Sequence, residues 1–182
     1  MGGVKYCGGS EGNSPTSFHI FHEIGFRKIF LTKNIGEKSY YGGSDEREVG
    51  IMRDNDPIWD RIRSETEAAA AAAPILASFL HATILNHEEL EYALSFHLAN
   101  LLDSPSAPAM MLRELILEAL KDDRDIRLAI RGDLSAILDR DSACHELYIP
   151  FLYFKGFQAL QIHRIAHWLW THERQPLAHF LQ

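Results

Sequence analysis

The sequence has few cysteines and no excess of basic residues. Only Cys7 and Cys144 occur among 182 residues, too few for a disulfide-stapled secreted scaffold, so we expect a reducing cytoplasm. The 18 basic and 25 acidic side chains give a formal charge of −7, which offers no basic stripe for binding a phosphate backbone. Nucleic acid is therefore not an expected partner.

Long apolar runs and targeting signals are also missing. The most apolar stretch, residues 68–85, is rich in alanine and contains Pro74, Ser78 and His81, which is typical of a soluble helix and not of a membrane span. No charged start followed by an apolar run marks a signal peptide. Tyr6 stands where an N-myristoylation signal needs Ser or Thr. We expect no membrane partner.

Glycine is almost absent after residue 51. Ten of the twelve glycines lie in residues 1–51, and only Gly132 and Gly156 follow. We predict a Gly-rich leader with little structure over 1–51 and one domain over 52–182, which carries the whole net charge. Because Met52 opens the second part, we interpret the leader as an extension from an early start codon. The intact mass of the native protein tests this hypothesis.

Helix signals fill the second part of the chain. Asp56 followed by Pro57 combines an N-cap acceptor with a residue suited to the first helical position, which predicts a helix over 57–72. Pro74 interrupts the pattern and predicts the start of a second helix. No segment alternates between apolar and polar residues as a half-buried strand does. The sequence therefore predicts an all-α domain.

The remaining helices are predicted from a capping pattern and from apolar periodicity. Asn86 and Glu89 have the spacing of a capping box, which predicts a third helix over 87–102. Helical periodicity indicates three more helices, giving about six in all. They are the segments "AMMLRELILEALKDD", "RDIRLAIRGDLSAILDRD" and residues 151–170.

Three patterns could indicate a chemical site, and each is incomplete. His163 and His167 share a helix face, but Arg164 stands where the HExxH motif needs its glutamate, so we predict a buried helix and no metal site. Cys144 beside His145 is weak evidence for a catalytic thiol because adjacent side chains usually point apart. The segment "GEKS" at 36–39 lacks the glycines of a phosphate loop.

Gly156 is unusual because it interrupts an otherwise strong helix pattern. Glycine in a helix interior costs about 1 kcal/mol relative to alanine. We therefore predict that another backbone or helix passes close to Gly156, at the centre of a helical assembly.

Six segments, in order along the chain, resemble one known family. They are "DPIWDRIRSE", "PILASFLHATILNH", "ALSFHLANLL", "LDRDSA", "PFLYFKGFQALQIHRIAHWLW" and "PLAHFLQ". Together they closely resemble the N-terminal helical domain of bacterial serine O-acetyltransferase, the first enzyme of cysteine synthesis from serine. The resemblance covers residues 56–182. Residues 1–51 have no recognised counterpart.

The resemblance implies an activity whose catalytic part is not in this sequence. Family members transfer acetyl from acetyl-CoA to the hydroxyl of L-serine, forming O-acetyl-L-serine and CoA. Their histidine base, its orienting aspartate and the CoA groove lie on a C-terminal β-helix of hexapeptide repeats. No run of such repeats occurs here. We therefore expect a truncated family member with no catalytic residue, no cofactor site and no metal site of its own, inactive alone.

One substrate-binding residue and two partners are also implied by the resemblance. Asp141, in "DRDSA", matches the aspartate that binds the substrate serine. The family's helical domain joins trimers into a hexamer, so we expect self-association through the helices. Cysteine synthase binds the family through a C-terminal tail, and that contact is expected to be absent here.

Two functions of different class stay open from the sequence. The first is a serine O-acetyltransferase family protein whose chemistry requires residues beyond Gln182. The second is a non-catalytic helical module for oligomerisation or interaction.

Overall fold

Residues 56–182 are described by a computed structural model of the chain, and no named strand occurs among them. The predicted all-α class is confirmed. The predicted leader at 1–51, its boundary and the "GEKS" segment lie outside the described residues. This part of the chain contains eight α-helices, with a π-helical segment, His81–Leu85, directly after α2. The helices are α1 Pro57–Ala72, α2 Pro74–Leu80, α3 Leu90–Leu102, α4 Ala109–Asp122, α5 Arg124–Arg140, α6 Tyr148–Tyr153, α7 Lys155–Thr171 and α8 Gln175–Phe180.

The start of α1 has the predicted capping geometry. One carboxylate oxygen of Asp56, Oδ1, accepts a hydrogen bond from the Trp59 N–H at 3.2 Å, and Pro57 occupies the first helical position. This arrangement satisfies one of the amide groups that an α-helix leaves without a partner at its N-terminus. Pro74 opens α2 as predicted.

The predicted capping box at Asn86 and Glu89 is wrong. The Asn86 N–H donates to the His81 carbonyl at 2.9 Å, so Asn86 ends the π-helical segment where the prediction placed an N-cap. Glu89 is the residue before α3, with extended backbone and no side-chain cap. The third helix therefore begins at Leu90, because Asn86 ends the π-helical segment and Glu89 occupies the N-cap position.

The single helix predicted over 151–170 is also wrong, because it breaks at Phe154, where ψ is 105°. In a continuous helix the Leu152 carbonyl would accept the Gly156 N–H. Instead it accepts a hydrogen bond from Gln158 Nε2 at 2.7 Å, and the His97 ring nitrogen Nε2 lies 3.1 Å from it. The break divides the predicted helix into α6 and α7. The described residues therefore contain more helices than the predicted number of about six.

Gly156 has a different environment from the predicted one. It is the second residue of α7 and is exposed. A Cβ atom built on it would have no heavy atom of its surroundings within 4 Å. The predicted close approach of another backbone is therefore wrong.

The core of the described residues is formed by side chains from all eight helices and the π-helical segment. Trp59 anchors α1 from its buried ring, whose Nε1 donates to the Glu88 carbonyl at 2.8 Å. The largest fully buried side chains include Ile62, Ile84, Leu94, Leu98, Ile116, Leu120, Ile130 and Phe151.

No helix in residues 56–182 is long and apolar enough to cross a membrane.

A buried guanidinium links three distant segments. Arg131 of α5 donates from Nε at 2.9 Å and from Nη2 at 2.6 Å to Asp56 Oδ2. Its Nη1 donates to Glu91 Oε1 of α3 at 2.7 Å. Burial alone would lower the pKa of Arg131, but its hydrogen bonds and charge interactions with Glu91 and Asp56 raise it above the ordinary value. Arg131 therefore stays charged inside the domain.

Candidate functional site

Asp141 lies directly after α5 and turns the chain toward α6. Its N–H donates to the Ile137 carbonyl at 2.9 Å, and its carbonyl accepts the Cys144 N–H at 3.0 Å. The carboxylate oxygen Oδ1 accepts the Ala143 N–H at 3.0 Å. Among the described residues no donor binds Oδ2. The turn therefore fixes an exposed carboxylate with one oxygen available for a ligand.

Asp141 is on the rim of an open groove between α5 and the start of α7, with a volume of about 780 Å³. Its walls combine apolar side chains with four charged ones. The lining residues are Asp133, Ala136, Ile137, Arg140, Asp141, Ser142, Phe154, Lys155, Gly156, Phe157 and Leu160. Such a mixture of apolar surface and a few convergent polar groups is typical of a small-molecule site.

The four charges of the groove are not equivalent. Asp133 is neutralised by Arg164, whose Nη2 lies 3.1 Å from Oδ1 and whose Nη1 binds Oδ2. Gln161 also donates to this carboxylate, at 3.0 Å. Arg140 and Lys155 form no ion pair within residues 56–182. One carboxylate, that of Asp141, and two cationic groups are therefore left to a ligand.

The loop 141–147, which carries Asp141, is fastened to α1. Glu65 Oε2 accepts the N–H of Leu147 at 2.5 Å and the N–H of Tyr148 at 3.3 Å. Its other oxygen, Oε1, accepts Arg61 Nε at 2.6 Å. Arg61 Nη2 in turn donates to the His145 carbonyl at 3.0 Å. Two residues one helical turn apart on α1 thus hold the second half of the loop.

The Cys144 thiol is a core group of the same loop. It is buried, and its Sγ lies 3.6 Å from the Glu146 carbonyl that it donates to. Burial raises the pKa of the Cys144 thiol, and the nearby Asp141 and Glu65 charges raise it further. A thiol in these surroundings is a poor nucleophile at neutral pH.

The two histidines of α7 are not gathered into a metal centre. His163 is exposed and His167 is partly buried, and the helix that carries them buries one face, which includes Ile165, Ala166 and Leu169. In the part of the chain that the structure describes, no group of three or more His, Cys, Asp or Glu side chains could hold a metal ion.

Comparison with known proteins identifies the family. Residues 58–162 match the family model described as serine acetyltransferase, N-terminal. The chain belongs to the serine acetyltransferase family. It is 46% identical over 125 residues to the serine acetyltransferase of Escherichia coli, covering 69% of this chain and 46% of that protein. It is 46% identical over 127 residues to serine acetyltransferase 4 of Arabidopsis thaliana, covering 70% of this chain and 36% of that protein.

Solved serine acetyltransferase structures share the fold of residues 56–182. The crystal structure from Neisseria gonorrhoeae is 50% identical, with a TM-score of 0.68, and the match covers 70% of this chain and 51% of that one. Soybean serine acetyltransferase complexed with serine is 44% identical, with a TM-score of 0.67 over 68% of this chain and 51% of that one. The chain spans about half the length of the bacterial relatives that it matches.

The sequence prediction of the site was incomplete for a serine acetyltransferase domain. Asp141 was singled out, and the structure places it on the groove. The roles of Arg61, Glu65 and Asp133 were missed. Arg61 and Glu65 have the i, i+4 spacing of a helical ion pair, but nothing local to "RIRSE" indicates that the pair binds a loop more than 80 residues later.

Proposed function

We propose that this chain is the helical part of a serine acetyltransferase and that Asp141 binds the ammonium group of L-serine. The observation that carries the proposal is the exposed Asp141 carboxylate, held by the turn at Oδ1 and without a donor from residues 56–182 at Oδ2. The family assignment and a serine-bound relative from soybean support it. The reaction is acetyl transfer from acetyl-CoA to the serine hydroxyl, in the cytoplasm.

A carboxylate is suited to this task by its charge and its position. A charge-assisted hydrogen bond from the serine ammonium to Asp141 would orient the amino acid without engaging its hydroxyl. The hydroxyl stays available to a general base, which the family resemblance assigns to hexapeptide-repeat residues outside this sequence. Residues 56–182 thus contribute substrate orientation, and the proton transfer belongs to the other domain.

The test uses a fusion in which the part of the Escherichia coli enzyme that this chain does not match follows Gln182. Thiol release from acetyl-CoA is measured with and without serine. Asp141→Asn should raise the KM for serine by about 10- to 100-fold, since a hydrogen bond to a charged group is lost. Asp139→Asn is the matched control, because Asp139 is exposed and does not line the groove. An unchanged KM for serine in Asp141→Asn would remove Asp141 from the site.

The 182-residue chain alone is the second arm of this test. We expect no serine-dependent thiol release from it, because the expected base and CoA groove are not among its residues. Serine-dependent release would mean that a complete site exists within the chain, and the proposed division of labour would be wrong.

The second candidate function, self-association, is favoured by an exposed apolar patch. Ile75 is 93% exposed, and Leu76 and Phe79 are also exposed on the same short helix, α2. No charged residue occurs between Glu67 and Glu88. In a chain of net charge −7, this apolar patch is a face on which two copies meet without charge repulsion. Light scattering on the purified chain tests it, and a monomer at all concentrations would contradict it.

A further inference from the structure

We propose that Glu65 is a positioning residue for Asp141 and acts together with Arg61. This inference rests on the proposed role of Asp141 in binding serine. Glu65 lies on α1 and Asp141 follows α5, and the loop 141–147 connects Asp141 to the contact with Glu65. The loop has two anchors in the structure. One is the turn at Asp141 itself, and the other is the Glu65 carboxylate at the start of α6.

The second anchor replaces a missing helix cap. The residue before α6 is Leu147, whose side chain cannot accept a hydrogen bond, and α6 has no side-chain cap of its own. Glu65 Oε2 accepts the two successive N–H groups of Leu147 and Tyr148 in its place. Leu147 is fully buried, so its N–H has no access to water if the carboxylate is removed. A side chain from another helix thereby sets the end of the loop.

The carboxylate has one task for each oxygen. Oε1 is occupied by Arg61 Nε at 2.6 Å, and Oε2 faces the loop amides. An amide side chain of the same length has only one acceptor oxygen. In Glu65→Gln the NH₂ group must therefore oppose either the Arg61 guanidinium or the Leu147 N–H. The substitution keeps the volume of the side chain and disrupts the anchor.

The two anchors are separated by a few residues of rigid chain. Asp141 accepts the N–H groups of Ala143 and Cys144, Cys144 is buried, and the His145 carbonyl is held by Arg61. A displacement at Leu147 is therefore transmitted to Asp141. Since small misplacements of an orienting group reduce catalysis strongly, the loss of Glu65 should be measured as weaker use of serine.

The experiment measures the KM for serine and for acetyl-CoA in the fusion described above. We expect Glu65→Gln to raise the KM for serine about tenfold and to leave the KM for acetyl-CoA unchanged. Glu67→Gln is the matched control, because it makes the same change on the same helix at an exposed position. A serine KM that stays unchanged in folded Glu65→Gln would overturn the proposal.

A double variant separates positioning from general destabilisation. If Glu65 acts through Asp141, then Asp141→Asn with Glu65→Gln should have the same KM for serine as Asp141→Asn alone. Effects that multiply, or equal rises in both KM values, would overturn the proposal. If Asp141→Asn itself leaves the serine KM unchanged, the proposed function fails, and this outcome differs from a failure of Glu65 alone.

Arg61 provides the same test without a buried change. Its side chain is about half exposed, so Arg61→Met removes the bond to the His145 carbonyl and the support of Glu65 with little risk to folding. We expect a smaller rise in the KM for serine, again absent in the Asp141→Asn background. If Glu65→Gln does not fold, this variant decides by the same criteria.

Discussion

Arg131 donates two hydrogen bonds to one oxygen of Asp56, which lies 75 residues earlier in the chain. The other oxygen of the same carboxylate caps α1. A single side chain therefore starts a helix locally and joins that helix to α5. Glu91 completes the cluster from α3.

Removal of the guanidinium should be strongly destabilising. In Arg131→Met two carboxylates lose their buried partner, so we expect the free energy of unfolding to fall by about 3–5 kcal/mol. Urea unfolding measures it. Arg174→Met is the control, because Arg174 forms a more exposed pair with Glu118, and such a pair contributes about 1 kcal/mol or less. Equal losses in the two variants would contradict a special role for the buried cluster.

The stability of the domain should decrease with acid because of His97. Burial lowers the pKa of His97 below its ordinary value of 6.5; the Leu152 hydrogen bond opposes this shift and Lys155 adds to it. The unfolded chain therefore binds more protons than the folded chain in the window between the folded pKa and 6.5. The contribution of His97 to stability is therefore fully present above that window and is lost as the pH falls through it.

The measurement is urea unfolding at a series of pH values on both sides of 6.5, the ordinary pKa of histidine. His97→Gln should show a shallower dependence on pH. His87, whose pKa is also lowered mainly by burial, contributes with the same sign. A variant that carries both His97→Gln and His87→Gln should therefore show a still weaker dependence of stability on pH. A slope in His97→Gln as steep as that of the unmodified chain would contradict this explanation.

Alanine should be tolerated at both glycines of the helical region. A Cβ atom at Gly132 or Gly156 meets no atom within 4 Å, and neither glycine has the positive φ that would strain alanine. Each substitution should raise the free energy of unfolding by about 0.4–1 kcal/mol, because alanine restricts the unfolded chain. Thermal unfolding checks this. A lower melting temperature in Gly156→Ala would contradict this expectation and would support the predicted close approach of another backbone to Gly156.

The apolar patch of α2 should control self-association. Ile75→Ser with Phe79→Ser should make the chain monomeric in light scattering while the helical circular dichroism is retained, because both side chains are exposed in the isolated chain. Met110→Ser is the control, since Met110 is 77% exposed on a different helix. Dissociation by the control variant, or none by the double variant, would move the interface elsewhere.

The sequence predicted those helix boundaries that depend on hydrogen bonds between residues close together in the chain. The start of α1 followed from Asp56 and Pro57 because the cap is made within three residues. The break at Phe154 could not be predicted in the same way, since it depends on bonds from Gln158 and from His97, which lies 55 residues before Leu152. The failed capping box at Asn86 has a local cause, because Asn86 ends the preceding π-helical segment.

The candidate site was predictable only in part, because its groups come from segments that are far apart in the sequence. Asp141 was recognisable by its resemblance to a family motif, although its spacing alone is that of an ordinary helix end. The groove requires α5 and α7 to lie side by side, and no periodicity determines that arrangement. Glu65 gives no sign in the sequence that it serves a loop and not only its neighbour Arg61.

The position of Arg131 has a consequence for synthesis on the ribosome. Asp56 and Glu91 emerge first, and their carboxylates wait in the nascent chain until the guanidinium of α5 has left the exit tunnel. Domains fold as units during translation, so α1 and α3 should stay undocked until that moment. A stalled chain that ends before α5 should therefore be a good chaperone substrate, and one that ends after α5 a poorer one.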